Sequence, residues 1–167
     1  MKYPNIAKKL SIMAKLDKET RNKLELKNIN KEIAWNNIEK IDKKNTKKLK
    51  EIISHIGLPT VSMVGKKGSL NAWLIVQHSG MSELNFMKKY LKMMEYNMND
   101  IIPYTYAYLI DRIYMLEKKP QIYGTQFIEK NEKIKPYLIY DIKNVDKRRK
   151  QVGLNTFKET KKEIGAV

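Results

Sequence analysis

Residues 30–57 read NKEIAWNNIEKIDKKNTKKLKEIISHIG, and this stretch decides the class of fold. Ala34, Ile38, Ile41, Asn45, Leu49, Ile52 and Ile56 recur at steps of three and four. That spacing places all seven on one side of a helix with 3.6 residues per turn. Gly57 and Pro59 stop the pattern. Asn45 breaks the apolar stripe, with Asp42 one turn earlier. An amide buried without a hydrogen bond costs about 1–3 kcal/mol. Asn45 therefore either fixes the register between helices or lines a pocket.

Upstream, Pro4 suits a first helical turn, and Ile6, Leu10, Met13 and Leu16 follow at helical spacing. A second short helix is expected from Asp17 towards Lys27. Downstream, Thr60 to Gly68 reads as a loop, with Ser69 as the N-cap of a helix through Leu70–His78. That helix is apolar almost all round, so it is expected at the centre of the fold. Gly80 ends it, and Ser82 caps the next, through Phe86, Tyr90, Leu91 and Met94. Asp100 is expected to cap a helix from Ile101 to about Lys118. There Asp111 lies in line with Tyr104, Tyr108 and Met115, where a carboxylate is costly unless paired, and Arg112 is its candidate cation.

After Pro120 the pattern changes. Gln121–Ile128 and Lys135–Tyr140 flank a polar turn at Lys130–Lys133, which predicts a hairpin. Asp146 opens a short helix that ends by Gly153, and Thr156 with Glu159 has the spacing of a capping box. The expectation is a mainly α, compact helical domain with one small β-hairpin near the C-terminal third. It is read as a single domain over 1–167, with residues 1–29 a helical extension and 30–164 the core.

Composition narrows the function classes. The chain has no cysteine, which removes disulfides, thiolate metal sites and cysteine nucleophiles. No run approaches the roughly 18 apolar residues of a membrane span, so a cytoplasmic protein without a membrane partner is expected. Two histidines 23 positions apart offer no metal-ligand spacing, and no phosphate loop or dinucleotide fingerprint occurs. Neither a metal nor an organic cofactor is expected. Lys and Arg number 34 against 18 Asp and Glu, a net charge of +16. Such a surface concentrates anionic partners, nucleic acid or an acidic protein among them, and is equally what a solvated lysine coat gives. The lysine clusters at 43–50 and 147–150 lack interleaved aromatics, so any nucleic-acid signal is nonspecific.

Four stretches put polar groups where the pattern asks for apolar ones: Gln77-His78, Asp111-Arg112, Tyr123-Gly124-Thr125-Gln126, and Asp146 with Arg148-Arg149. Only four residues are arginine, and three of them lie in these stretches. Where lysine is the default cation, an arginine points to a need for its planar five-donor fork. That fork serves either an internal network that knits the hairpin to the helices or a bound carboxylate or phosphate. His78 reads equally as a structural residue and as a proton-transfer group. His55 has only Ser54 beside it and reads as structural.

Residues 72–78 (AWLIVQH), 106–112 (YAYLIDR), 120–126 (PQIYGTQ) and 145–149 (VDKRR), with Gly153-Leu154, resemble a bacterial family of unknown function. Asp42, Asn45, Gly57 and Pro59 fit its upstream part, and the resemblance spans about Asn30 to Ile164. It implies that Gln77, His78, Asp111, Arg112, Tyr123, Gly124, Thr125 and Gln126 occupy signature positions. The family usually carries an acid two residues after the histidine, where this chain has Gly80.

The resulting expectation is an enzyme-like domain with a polar pocket where the helices of His78 and Asp111 meet the Tyr123–Gln126 strand. His78 acts as general acid or base, with Gln77, Asp111, Arg112 and Gln126 around it, and Arg112 takes the charge of a small polar or anionic ligand. Tyr108, Tyr123, Thr125, Asn45 and Arg149 complete the binding surface. The alternative is a noncatalytic basic protein that binds nucleic acid or an acidic protein. The sequence leaves the oligomeric state open.

Overall fold

A computed structural model describes residues 1–26 and 28–166. Among these, seven α-helices and one two-stranded antiparallel hairpin confirm the mainly helical class. No described helix is long and apolar enough to cross a membrane. The chain divides into two compact units, Met1–Ile102 and Pro103–Val167.

The first unit holds α1 (Pro4–Asn22), α2 (Lys31–Ile56), α3 (Val61–His78) and α4 (Leu84–Glu95). Pro4 opens α1, which runs on through Asp17 to Asn22 as one helix and finishes in a 3-10 turn at Lys23–Glu25. The separate helix predicted from Asp17 does not form, because nothing in the sequence breaks the 3.6-residue pattern there. Its predicted end at Lys27 lies outside the described residues. α2 follows the prediction closely. Asn30 Oδ1 accepts from Ile33 N at 3.1 Å at its start, and Gly57, at φ +74°, ends it.

The segment 60–68, predicted as a loop, is helical instead. α3 begins at Val61 and carries a single break at Gly65, where φ is +74°. That conformation is one that glycine adopts at no steric cost. The break frees carbonyls of the first turn, and Ser62 O and Met63 O accept from Lys2 N and Tyr3 N. Asp100 seals the same turn by accepting from the Ser62 amide and hydroxyl. The role expected for Asp100, at the start of the next helix, goes to Pro103, whose fixed φ suits a first helical position. Gly68, expected in the loop, is a packing residue within the helix. A Cβ there would stand 2.9 Å from Val64 Cβ and 3.4 Å from Ala7 Cβ of α1. Leu10, Leu49, Ala72, Val76 and Met87 fill the core of this unit.

The second unit holds α5 (Pro103–Leu116), β1 (Phe127–Lys130), β2 (Lys133–Pro136), α6 (Val145–Gln151) and α7 (Phe157–Glu163). Phe127 pairs with Pro136 and Lys130 with Lys133, and the turn residues Asn131 and Glu132 are left-handed, at φ +53° and +58°. Two left-handed turn residues are the signature of the tight hairpin whose twist matches its strands. The ladder is shorter than predicted: residues 121–126 leave it and wrap a side chain of α5. Thr156 and Glu159 form the predicted capping box at the start of α7.

Replacing Gly68 by alanine tests the packing reading. Helix propensity alone would stabilise by about 1 kcal/mol. The forced contact with Val64 reverses the sign, and a net loss of about 1–3 kcal/mol is expected in urea denaturation.

Candidate functional site

Three helices of the first unit bring four polar side chains together. Asp17 and Arg21 stand one turn apart on α1, Asp42 projects from α2, and His78 is the last residue of α3. His78 Nδ1 lies 3.1 and 3.0 Å from the two carboxylate oxygens of Asp17. Arg21 donates from Nε to Asp17 Oδ1 at 3.1 Å, and from Nη2 to both oxygens of Asp42 at 2.7 Å. Asn45, buried beside them, donates to the Met13 carbonyl at 3.2 Å and so fixes α2 against α1.

The protons can be placed by elimination. Arg21 Nε also lies 3.1 Å from His78 Nδ1, and one nitrogen cannot both donate to Asp17 and accept from Arg21. With the Asp17 carboxylate between them, both N–H groups point at it. His78 then carries a proton on Nδ1, and its Nε2 is turned away from that carboxylate. Among the described residues nothing hydrogen-bonds to Nε2, and the side chain is 26% exposed. Burial pushes the Asp17 carboxyl up, but the His78 hydrogen bond and the charges of His78 and Arg21 outweigh it and leave it below the ordinary carboxylate range. Burial pushes Asp42 up, and the Asp17 charge adds to this against the pull of Arg21. Beside His78, Gln77 Oε1 is buried with no hydrogen-bond partner among the described residues.

Asp17, Asp42 and His78 also form a group with the dimensions of a metal site, their ligand atoms lying within 4.8 Å of one another. The Arg21 guanidinium already donates to both carboxylates, so a cation would have to displace it. Sequence spacing could not show this group, because its members come from three helices.

The other signature residues lie in the second unit. Asp111, fully buried on α5, accepts through Oδ1 from the amides of Ile122 (2.6 Å) and Tyr123 (3.0 Å). Its Oδ2 accepts from the amides of Tyr123 (3.1 Å) and Thr125 (3.0 Å) and from the Thr125 hydroxyl (2.9 Å). Burial raises this carboxyl against the pull of those donors. Gln121 donates to the carbonyls of Gln126 and Tyr137 and accepts from the Gln126 amide. Gln126 in turn donates to Thr125 Oγ1 and the Tyr108 carbonyl. Arg149, 1% exposed, donates to the carbonyls of Tyr123, Gly124 and Asn155 and to the Thr160 hydroxyl. Arg148 holds the carbonyls of Ile122, Tyr140 and Asp141. Gly124, at φ +67°, has the Phe157 ring 3.0 Å from where a Cβ would stand.

The predicted site residues thus divide between the units. Gln77, His78 and Asn45 lie in the first, and Asp111, Arg112, Gln126, Tyr108, Tyr123, Thr125 and Arg149 lie in the second. Arg112, expected to pair with Asp111, is absent from the hydrogen bonds of that carboxylate. The backbone of 122–125 satisfies the charge in its place. Asp17 and Arg21 escaped the sequence reading, although both signals were present. Asp17 stands on the apolar stripe of Leu10, Met13 and Ala14, and Arg21 is the fourth arginine of a lysine-rich chain.

Residues 4–165, nearly the whole chain, match the sequence pattern of a family of unknown function (DUF6624). The match includes α1, and therefore Asp17 and Arg21. No curated protein and no solved structure gives a significant match.

Asp17→Asn is expected to cost about 3 kcal/mol at neutral pH, as removal of one member of a buried ion pair does. Because the folded-state value of Asp17 is depressed, its contribution is fully present above about pH 4 and is lost as pH falls through the lower folded value. Urea titrations of both proteins from pH 7 to pH 2 should therefore converge at the acid end. Asp111→Asn, which turns an amide donor towards backbone donors, should cost a similar ~3 kcal/mol.

Proposed function

The chain belongs to the DUF6624 family, a family of unknown function, and on that premise we propose that it is a small acid–base enzyme acting on a polar or anionic substrate, with His78 as its proton-transfer group. One observation carries this reading: Nδ1 of His78 is fixed by the Asp17 carboxylate, while Nε2 is unpartnered on a ring that water reaches. A carboxylate behind an imidazole sets the tautomer and orientation and stabilises the imidazolium that forms when Nε2 takes a proton. Nε2 accepts the proton of a substrate hydroxyl, amide or bound water, and returns it to the leaving group.

The remaining residues have roles that their chemistry suits. Arg21 supplies a cation beside the imidazole and spends only Nε and Nη2 on the two carboxylates. Asp42 holds that guanidinium in place. Gln77 Oε1, a buried acceptor with no partner among the described residues, gains a hydrogen bond when a substrate donor reaches it. Gly80 stands where the resembled family usually has an acid, and Asp17 provides a carboxylate for His78 from α1 instead.

The test is turnover of a panel of p-nitrophenyl esters and phosphates, alongside imidazole NMR spectra recorded with inorganic phosphate and acetate. Turnover should fall about 10²–10⁴-fold in His78→Gln and should shift its pH profile in Asp17→Asn. His55→Gln should leave it unchanged. Equal rates in His78→Gln and the parent, or no turnover together with His78 resonances that no anion moves, would sink the reading.

A further inference from the structure

Two hollows of about 550 Å³ each lie along the α1–α2 hairpin. Ile6, Ile12, Met13 and Ile52 line the first, with Lys9 and Lys48 at its edges. Leu16, Ile33, Ala34 and Ile41 line the second, with Lys23 and Lys40 at its edges. On α1 the lining positions Ile6, Lys9, Met13, Leu16, Thr20 and Lys23 follow at steps of three and four, one unbroken stripe. On α2, Ile33, Asn37, Ile41, Lys48, Ile52 and His55 do the same with one seven-residue step. Helical geometry therefore aligns the two hollows end to end on one face of the hairpin. From Ile6 to Lys23 this trough is about 25 Å long, the length of a helix of some 17 residues.

The face has no cover among the described residues. Ile12 and Ile33 are 60% and 58% exposed, and Leu16 is 37% exposed. Aliphatic side chains rarely collect on a surface in one strip without a partner. None of Lys9, Lys23, Lys40 and Lys48 takes part in an ion pair among the described residues, and Glu51 is the lone acid in either lining. The lining contains no Phe, Tyr or Trp on which a base could stack, and His55 is its one ring. A second copy would bring +16 against +16.

We propose that this trough docks an amphipathic helix of an acidic partner protein. Its apolar edge lies along the Ile12–Leu16–Ile33 strip, and its carboxylates face the four lysines. A helix laid into a groove through anchors at i, i+3, i+4 and i+7 is a recurrent mode of recognition, and opposite charge at the rim speeds and orients the encounter. The proposal is independent of the acid–base reading, since none of these residues belongs to the Asp17–His78 cluster.

The probe is a fluorescein-labelled synthetic helix of 18 residues, with Leu and Ile at i, i+3, i+4 and i+7 and Glu elsewhere, titrated with the full chain and followed by anisotropy. A scrambled peptide of identical composition, anionic phospholipid vesicles and a DNA duplex serve as competitors. Saturable binding is expected that weakens about tenfold for the scrambled peptide and about tenfold in Ile33→Asp and in Lys48→Glu. These positions are exposed, and circular dichroism of the variants should match the parent. Equal binding of the scrambled peptide would reduce the contact to diffuse charge and overturn the proposal. So would variants that bind like the parent, displacement by vesicles or duplex more readily than by unlabelled peptide, or a sedimentation profile in which the trough closes a dimer.

Discussion

The Asp17 carboxylate, with its side chain 4% exposed, has His78 Nδ1 and Arg21 Nε within 3.1 Å. A charge so far out of water is costly unless cations and hydrogen bonds meet it within the fold. Its partners come from α1 itself and from the last residue of α3, and Arg21 extends the set to Asp42 on α2. Three helices are thereby tied at one point. The Asn45–Met13 bond repeats the tie between α1 and α2 a turn away. Apolar burial elsewhere in this unit is nondirectional, so these bonds define how the helices are aligned along one another.

The second unit answers the same constraint with backbone. Asp111 is met by the amides of 122, 123 and 125 and by the Thr125 hydroxyl, and among the described residues no cation pairs with either oxygen. The carbonyls on the other side of that loop are taken by Arg148 and Arg149. A loop whose amides face an anion and whose carbonyls face guanidinium groups has its dipoles satisfied in both directions. This accounts for a buried Arg149 with no carboxylate against it, its ring contact being with Phe157 at 5.9 Å. Arg21, Arg148 and Arg149 each hold two or more acceptors at once, a task for a planar fork that a lysine ammonium performs poorly.

The two polar sets differ in what they leave over. Around Asp111 the donors and acceptors close on each other, as a scaffold requires. Around Asp17 they leave Nε2 of His78 and a part of Arg21 facing outward, and Gln77 keeps an unmatched acceptor next door. Unspent capacity of that kind is what substrate binding and proton transfer use, and it separates the His78 cluster from the rest of the buried polar groups.

The amino-acid order by itself determined the helices, because the three-and-four spacing of apolar residues, Pro4, Asn30, Gly57 and the Thr156–Glu159 box are local signals that act within a turn or two. It also marked His78, Asp111, Arg112, Arg148 and Arg149 as polar groups where the pattern asks for apolar ones. Glycine misled it at 60–68, where Gly65 and Gly68 serve backbone pairing and close packing instead of a loop. Only the tertiary structure decided who satisfies whom. Asp17 lies 61 positions from His78, and the Asp111 charge is met by main-chain amides that carry no side-chain signature. Pairings of that range depend on where whole helices come to rest, and no short window of residues contains that information.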